Sequence, residues 1–195
     1  MNAISRDSLL SLEAYARQRA AFRSRVIAHK KDRTLHLGEH ITLMFEDELT
    51  IRYQIQEMLR IERTFEEEGI QGELDAYGPL VPDGSNWKAT MMIEFPVETE
   101  RRLWLTRLIG IEKHVWVRVA GCEPIFAIAD EDLERDNGEK TSAVHFLRFE
   151  LPPPAIRALH AGAALAIGVD HPAMTAVVEP VPDAIRQSLC GDLRA

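Results

Sequence analysis

The chain has 195 residues, of which 46% are hydrophobic and 28% are charged, and its formal net charge at pH 7 is −8. These values are typical of a soluble globular protein with one sizeable core, and the negative charge argues against a general nucleic-acid-binding protein, which needs a basic surface. The first 40 residues differ, because they carry eight Lys or Arg residues against four Asp or Glu residues. We expect this basic segment to pair with acidic residues further along the chain.

The sequence also bears on the cellular compartment. The N-terminal residues lack the apolar segment of a secretory signal, and the longest apolar run, residues 161–169, is much shorter than the roughly 20 residues of a membrane span. Cys122 and Cys190 form neither a CxxC motif nor a zinc-ligand spacing. Together these features predict a cytoplasmic protein in a reducing environment.

The N-terminal part begins with a predicted helix from about Ser8 to Lys30, with cations in the last turn that suit the helix dipole. The alternating segment TLHLGEHITLMF then predicts a strand that Gly38 either kinks or turns into a hairpin.

A second long helix is predicted to begin near Asp47–Thr50, either of which is a suitable N-cap, and to end at Gly69. A short helix over residues 71–77 and the loop GPLVPDGSN follow.

From Trp87 onward, strands dominate. Strands are predicted in KATMMIEF, HVWVRVA, PIFAIAD, AVHFLRFEL and ALAIGV, helices in VETERRLWLTRLIG, PPAIRALHAG and PDAIRQSLCGDL, and an acidic loop in DEDLERDNGEKT. We therefore predict one α+β domain over residues 1–195, in which an N-terminal helical pair packs on a mostly antiparallel β-sheet with short additional helices. Residues 1–80 form its helical part and residues 87–195 its sheet-rich part; the βαβ rhythm of a parallel sheet is not evident.

Both long helices place charged residues inside an apolar stripe. At about 100° per residue, Arg19 and Arg23 lie within the stripe of the first helix, and Glu62 lies within that of the second. An unpaired buried charge costs several kcal/mol, so we expect the two helices to pack face to face with Arg19 or Arg23 bound to Glu62. Arginine suits this role because its planar guanidinium can hold a carboxylate through two hydrogen bonds.

Two arginines and one glutamate leave a surplus positive charge, for which two interpretations stay open. In the first, Glu57 and Gln54 beside the stripe, and Glu46 before the second helix, complete an internal network. In the second, the surplus arginine binds a carboxylate or phosphate, with Glu57 or Glu62 as an acid or base. The candidate ligand-binding residues are then Arg19, Arg23, His29, Lys30, Arg33, Glu46, Gln54, Glu57, Arg60 and Glu62.

The seven histidines raise a metal hypothesis. His145 lies in a predicted strand and His171 follows another, so on adjacent strands they would form a metal site together with Asp170 or Glu57. Nothing in the spacing of these candidates brings them together, and no cofactor is evident. A ferritin-like di-iron bundle is disfavoured, because Glu57 is followed three residues later by Arg60 rather than histidine and the long helices are too few.

The chain has no phosphate-binding loop, dinucleotide fingerprint or nucleophile elbow. We therefore identify no catalytic residue, and the sequence leaves open whether the protein is an enzyme.

A family resemblance is carried by HKKDR, LGEHITLMFEDELTIRYQIQEMLRIE, LDAYGPLVP, ATMMIEF, SAVHFLRFEL and DHP. Over nearly its whole length the chain resembles the bacterial family known as domain of unknown function 3501. Genes of this family often lie beside those for rubrerythrin and for iron–sulfur oxidoreductases of the heterodisulfide-reductase type. The resemblance therefore implies an accessory or binding protein that acts as a partner in redox or oxidative-stress systems.

Any iron–sulfur centre would belong to the partner, because this chain lacks the cysteine clusters that ligate one. The alternative is an enzyme or sensor that binds a small anion at the Arg/Glu cluster. Neither nucleic acid nor a membrane is an expected partner, and homo-oligomerisation stays open.

Overall fold

The computed structural model describes residues 4–131, 135 and 138–194. Within these residues the chain forms six α-helices and two antiparallel sheets, which confirms the α+β prediction. The helices are α1 (Leu12–Lys30), α2 (Glu48–Glu62), α3 (Glu67–Tyr77), α4 (Glu98–Arg107), α5 (Pro153–His160) and α6 (Asp183–Cys190). The strands are β1 (Thr34–Leu37), β2 (Ile41–Glu46), β3 (Asn86–Ile93), β4 (Val115–Val119), β5 (Ile125–Phe126), β6 (Ile128–Ala129), β7 (Val144–Glu150), β8 (Leu165–His171) and β9 (Met174–Val178).

The larger sheet has the strand order β1-β2-β3-β7-β6, and the smaller one has the order β5-β4-β8-β9. Gly38, with a φ of 65°, turns the chain between β1 and β2, so the predicted segment is a hairpin. This hairpin pairs with β3, and the helical part of the chain thereby supplies one edge of the larger sheet.

Two features of the smaller sheet differ from the sequence-based expectation. The segment PIFAIAD forms two short strands, β5 and β6, which pair in different sheets. β9 was not predicted; it pairs with β8 through a tight hairpin in which His171 lies opposite Met174.

The main core lies on one face of the larger sheet. Alternate residues of β2, β3 and β7 are buried there, including Phe45, Trp87 and Phe149, and they cluster with buried residues of β4, β8, α5 and α6. The Trp87 indole donates a hydrogen bond of 2.9 Å to the Leu189 carbonyl oxygen, which ties α6 to the sheet.

A second, smaller core is built by α2, α3 and the N-terminal segment, through Leu9, Ile51, Ile55, Leu59, Ile70 and Leu74. Asp47 caps α2: its carboxylate accepts a bond from the Thr50 backbone, and the Thr50 hydroxyl accepts one from the Asp47 backbone.

The predicted end of the second helix at Gly69 is wrong. The helix ends at Glu62 because Arg63 adopts a left-handed conformation with a φ of 56° and the Thr64 amide bonds back to the Leu59 carbonyl. Gly69 instead lies inside α3.

No helix in the described part of the chain is both long enough and apolar enough to cross a membrane.

Candidate functional site

The predicted packing of α1 on α2 is correct, but the predicted ion pair is not. Arg19 binds Glu57, with Nε 2.7 Å from Oε1 and Nη2 2.8 Å from Oε2, whereas Arg23 and Glu62 are exposed. The helices run antiparallel, and the Leu10 backbone near the start of α1 already lies beside Gln56. Glu62 is the last residue of α2 and therefore extends past the start of α1.

Glu57 is the centre of a saturated cluster. Besides Arg19, it accepts a 2.7 Å hydrogen bond from the buried Tyr15 hydroxyl and 3.3 Å bonds from Arg60. The hydrogen bond from Arg19 is the main reason that the pKa of Glu57 falls to about 2. Burial, together with Glu57, raises the pKa of Tyr15. Because both carboxylate oxygens are occupied, this cluster joins the helices and leaves little capacity for a ligand.

Arg33, with a side chain only 1% exposed, is the centre of a second saturated cluster. Its guanidinium donates to the carbonyl oxygens of Phe45 (2.9 Å) and Glu46 (3.1 Å). It also binds the Asp192 carboxylate and the Ser188 hydroxyl, so it joins the hairpin to α6.

The two carboxylates around Arg33 differ in acidity. Asp47 lies 3.5 Å from Arg33 Nε and 2.5 Å from His29 Nε2. Burial opposes its ionisation, but Arg33, the Thr50 amide and His29 together lower the pKa of Asp47. For Asp192 burial outweighs Arg33, and the pKa of Asp192 rises to about 6. Arg33 and the Nε2 atom of His29 are thus engaged by groups of the protein itself.

The metal candidates His145, Asp170 and His171 do not meet. His145 lies in β7 of the larger sheet and His171 in β8 of the smaller one, so the expectation of adjacent strands is wrong. His145 is buried, with Nδ1 2.6 Å from Asp130 and Nε2 3.0 Å from the Thr141 hydroxyl. His171 Nε2 lies 3.2 Å from the Ile109 carbonyl, and Asp170 is exposed. The described residues contain no group of three or more potential metal ligands.

A region rich in polar side chains lies on the outer face of the larger sheet, opposite the main core. Antiparallel register places Glu46, Lys88 and Arg148 in one row across β2, β3 and β7. Met44, Thr90 and Phe146 form the neighbouring row. Because strand side chains alternate, the polar residues of these strands share the face that the core does not use.

Helices α2 and α3 lie beside this face, and residues of these helices line two adjoining cavities of about 630 and 290 Å³. Both cavities are lined by Tyr77, Leu80 and Phe146, and we call the combined space the sheet-face groove. The larger cavity is also lined by Asp75, Ala76, Pro79, Lys88, Glu131, Arg135, Leu147 and Arg148, and the smaller by Lys30, Met44, Glu46, Thr50, Ile51, Gln54, Thr90 and Met92.

The charged residues that line the groove differ in how many hydrogen bonds and ion pairs they form. Glu46 accepts hydrogen bonds from the hydroxyls of Thr50 (2.6 Å) and Thr90 (2.7 Å). Arg148 is held by Glu131 at 2.8 Å and by Glu150 at 2.6 Å. Lys88 is different: among the described residues no ion pair or hydrogen bond engages its ammonium group. Burial, and secondarily Arg148, lower the pKa of Lys88, and the charges of Glu131, Asp83 and Glu150 partly oppose this shift.

Three of the ten predicted ligand-binding residues, Lys30, Glu46 and Gln54, line the sheet-face groove. Sequence reasoning missed Lys88, because a single lysine in the apolar segment KATMMIEF carries no motif. The two-residue alternation of β3 could have identified Lys88 as a surface-facing residue of the sheet, because it places Lys88, Thr90 and Met92 on one face.

Comparison with known proteins gives a family but no activity. The family described as "Protein of unknown function (DUF3501)" matches residues 3–193. A protein of Burkholderia pseudomallei K96243, whose crystal structure is titled as that of a novel protein of unknown function, is 58% identical. That match covers 99% of this chain and 100% of the other, with a TM-score of 0.91. None of the curated proteins compared with the chain matches it.

Proposed function

The chain belongs to the family of unknown function DUF3501, and on that premise we propose that it is a binding protein for a small organic anion. The ligand lies in the sheet-face groove with its charged group at Lys88. The observation that carries this proposal is the partly buried Lys88 ammonium, which faces the larger cavity without a carboxylate partner among the described residues.

The electrostatic argument starts from the cost of removing an ammonium group from water. This cost is offset when the charge is paired directly; Arg148 disfavours the Lys88 charge, whereas Glu131, Asp83 and Glu150 favour it without forming an ion pair with it. Glu131 and Glu150 are already bound by Arg148. A ligand carboxylate would therefore supply the direct partner that no described residue gives the Lys88 ammonium group.

The shape and lining of the groove indicate the rest of the ligand. Cavities of roughly 300–1,000 Å³ with apolar walls and a few polar groups are typical of small-molecule sites. Here Tyr77, Leu80 and Phe146 lie where the two cavities meet, and Met44 and Met92 line the smaller one. These side chains favour an aromatic or acyl body, so the proposed ligand class is a small aromatic or medium-chain carboxylic acid.

The test is a thermal-shift and calorimetric comparison of benzoate, cinnamate and octanoate with their neutral amides. We expect at least one acid to raise the melting temperature, and the matching amide to bind at least tenfold more weakly. Failure of every acid to bind, or equal binding of acid and amide, would overturn the proposal.

The variant Lys88→Met tests whether Lys88 binds the charged group of the ligand. Its control is Lys113→Met, because Lys113 carries the same charge on a side chain that is 73% exposed. We expect Lys88→Met to weaken binding of the acid at least tenfold and Lys113→Met to leave it unchanged. Equal affinities of the two variants would exclude Lys88 as the recognition group.

The role beside rubrerythrin or an iron–sulfur oxidoreductase, predicted from the family resemblance, stays a prediction, as does the cytoplasmic location. Co-purification of the tagged chain from its native host tests the partner role. Enrichment of such an enzyme would support it, and isolation of the chain without any partner would count against it.

A further inference from the structure

A second groove lies on the other side of α2, between α1, α2 and the segment before α1. Its volume is about 550 Å³, and Arg17, Arg25 and Arg52 line it. We call it the arginine groove. On α2, Arg52 and Gln56 face this groove, whereas Thr50 and Gln54 face the sheet-face groove. The two sites therefore share a helix but no lining residue.

The spacing along α1 explains why Arg17 and Arg25 line the same groove. Arg17, Ala21 and Arg25 follow one another at intervals of four residues, so they form one row on the helix surface with steps of about 6 Å. The small Ala21 side chain leaves an opening between the two arginines. Phe22 forms the wall beside this opening.

The aromatic wall is fixed by its neighbours. Phe22 makes edge-to-face contacts with Tyr15 and Tyr53, at centroid distances of 6.0 and 5.8 Å. The guanidinium carbons of Arg25 and Arg52 lie 4.9 and 5.6 Å from the Phe22 centroid. A guanidinium held by its face on an aromatic ring keeps its N–H edge available for an anion.

Positive charge is in excess in this groove. None of the described residues that line it is acidic. At its margin, Glu48 Oε1 lies 3.2 Å from Arg52 Nε, but this contact gives an ion pair without hydrogen-bond geometry. The Arg52 Nε atom is buried and lacks a hydrogen-bond acceptor among the described residues. A bound anion with several oxygens would offer acceptors to the three guanidiniums together.

The segment before α1, which forms another wall of the arginine groove, is held in place by hydrogen bonds to α2. The Gln56 side chain, itself buried, accepts a 2.7 Å hydrogen bond from the Leu10 amide and donates one of 3.3 Å to the Leu10 carbonyl. These bonds fix the segment before α1 against α2. The groove is therefore formed before a ligand arrives.

We propose that the arginine groove binds the phosphate group of a small phosphorylated molecule. Three guanidiniums suit a multiply charged phosphate better than a single carboxylate, because each offers a fork of N–H donors. A nucleic acid is disfavoured because the net charge of the chain is −8.

The experiment titrates the full-length protein with inorganic pyrophosphate by calorimetry at constant ionic strength, with sodium chloride as the balancing salt. The test variant is Arg17→Gln/Arg25→Gln, whose side chains are exposed and whose loss spares the cores. The control is Arg23→Gln, an exposed arginine of the same helix outside the groove. We expect the double variant to bind at least tenfold more weakly and the control to stay within twofold of the wild type.

A second variant, Ala21→Leu, fills the opening without changing any charge, and we expect it also to reduce affinity at least tenfold. Absence of binding at millimolar pyrophosphate would overturn the proposal. So would equal losses in Arg23→Gln and the double variant, or full affinity in Ala21→Leu. Lys88→Met should bind pyrophosphate normally, which separates this result from the test of the sheet-face groove.

Discussion

Arg33 and Lys88 are two cations withdrawn from water near the larger sheet, and their surroundings differ. Arg33 is 1% exposed and is surrounded by carbonyl oxygens, a hydroxyl and two carboxylates. Lys88 is partly buried, faces a cavity and has no such partner among the described residues. Burial alone therefore does not identify a functional charge. What separates the two is whether the protein itself supplies the acceptors.

The largest effect that would test this comparison is loss of the Arg33 guanidinium. We expect Arg33→Met to lower the free energy of unfolding by about 3–5 kcal/mol, because Asp47 and Asp192 are then left buried without their shared cation. Urea denaturation measures this change. The double variant Arg33→Met/Asp192→Asn should recover part of the loss, and strictly additive losses would contradict the shared-cation account.

A smaller effect is expected from the pH dependence of Asp192, whose pKa is raised from 3.8 to about 6. A group with a raised pKa contributes stability that is fully present below its unfolded-state pKa and lost as the pH rises through its folded-state pKa. Between pH 4 and pH 7 the wild type should therefore lose on the order of 2–3 kcal/mol relative to Asp192→Asn. If the free energies of unfolding of the wild type and Asp192→Asn changed equally with pH, the raised pKa of Asp192 would be ruled out.

The third test compares two glutamates of α2. We expect Glu57→Gln to cost about 1–2 kcal/mol, because the buried Tyr15 hydroxyl and Arg19 lose a charged acceptor. Glu62→Gln should change stability by less than about 0.5 kcal/mol, since Glu62 is exposed. Chemical denaturation at pH 7 measures the loss of stability in both variants. A larger loss in Glu62→Gln than in Glu57→Gln would support the Glu62 ion pair predicted from the sequence.

The pKa of Glu57, lowered to about 2, adds a pH signature to this test. A lowered carboxyl pKa contributes stability above the unfolded-state value of 4.5 that is lost as the pH falls towards 2. Glu57→Gln should flatten the acid side of the stability curve, and Glu62→Gln should leave it unchanged.

The smallest effect on stability is expected for Lys88→Met. Removing a desolvated ammonium group without a partner should leave the free energy of unfolding within about 0.5 kcal/mol of the wild-type value, or raise it. Urea denaturation of Lys88→Met and of the wild type provides the measurement. A loss comparable to that of Arg33→Met would make Lys88 a structural residue and remove the contrast between the two cations.

Much of the fold follows from local patterns in the sequence. The alternation in TLHLGEHITLMF together with Gly38 predicted a kinked strand or a hairpin, of which the hairpin is correct, and Asp47 was one of the two predicted N-caps of α2. The C-terminus of α2 was placed too late, because a left-handed Arg63 gives no composition signal comparable to Gly69. β9 was missed although MTAVV contains the strand-favouring residues Thr175, Val177 and Val178, because the segment is short and follows β8 after only two intervening residues.

The charged residues show where the sequence pattern stops being sufficient. Measured from Leu12, the α1 residues that face α2 centre on about 300°, at Tyr15, Phe22 and Val26. Arg19 remains near this direction, whereas Arg23 lies about 80° away and is exposed. A helical wheel gives the angles between residues of one helix, but not the rotation of that helix against its neighbour.

The α+β class, most helices and strands, and an arginine–carboxylate contact between the two long helices can be predicted from the amino-acid sequence. These properties depend on hydrogen bonding, capping and periodicity within short segments. The pairing of Glu57 with Arg19, the saturation of Arg33, and the position of Lys88 at a groove without a direct partner among the described residues became visible in the folded molecule. The reason is that pairing and cavity formation depend on how separate elements are rotated and spaced, and residues far apart in the chain set that geometry together.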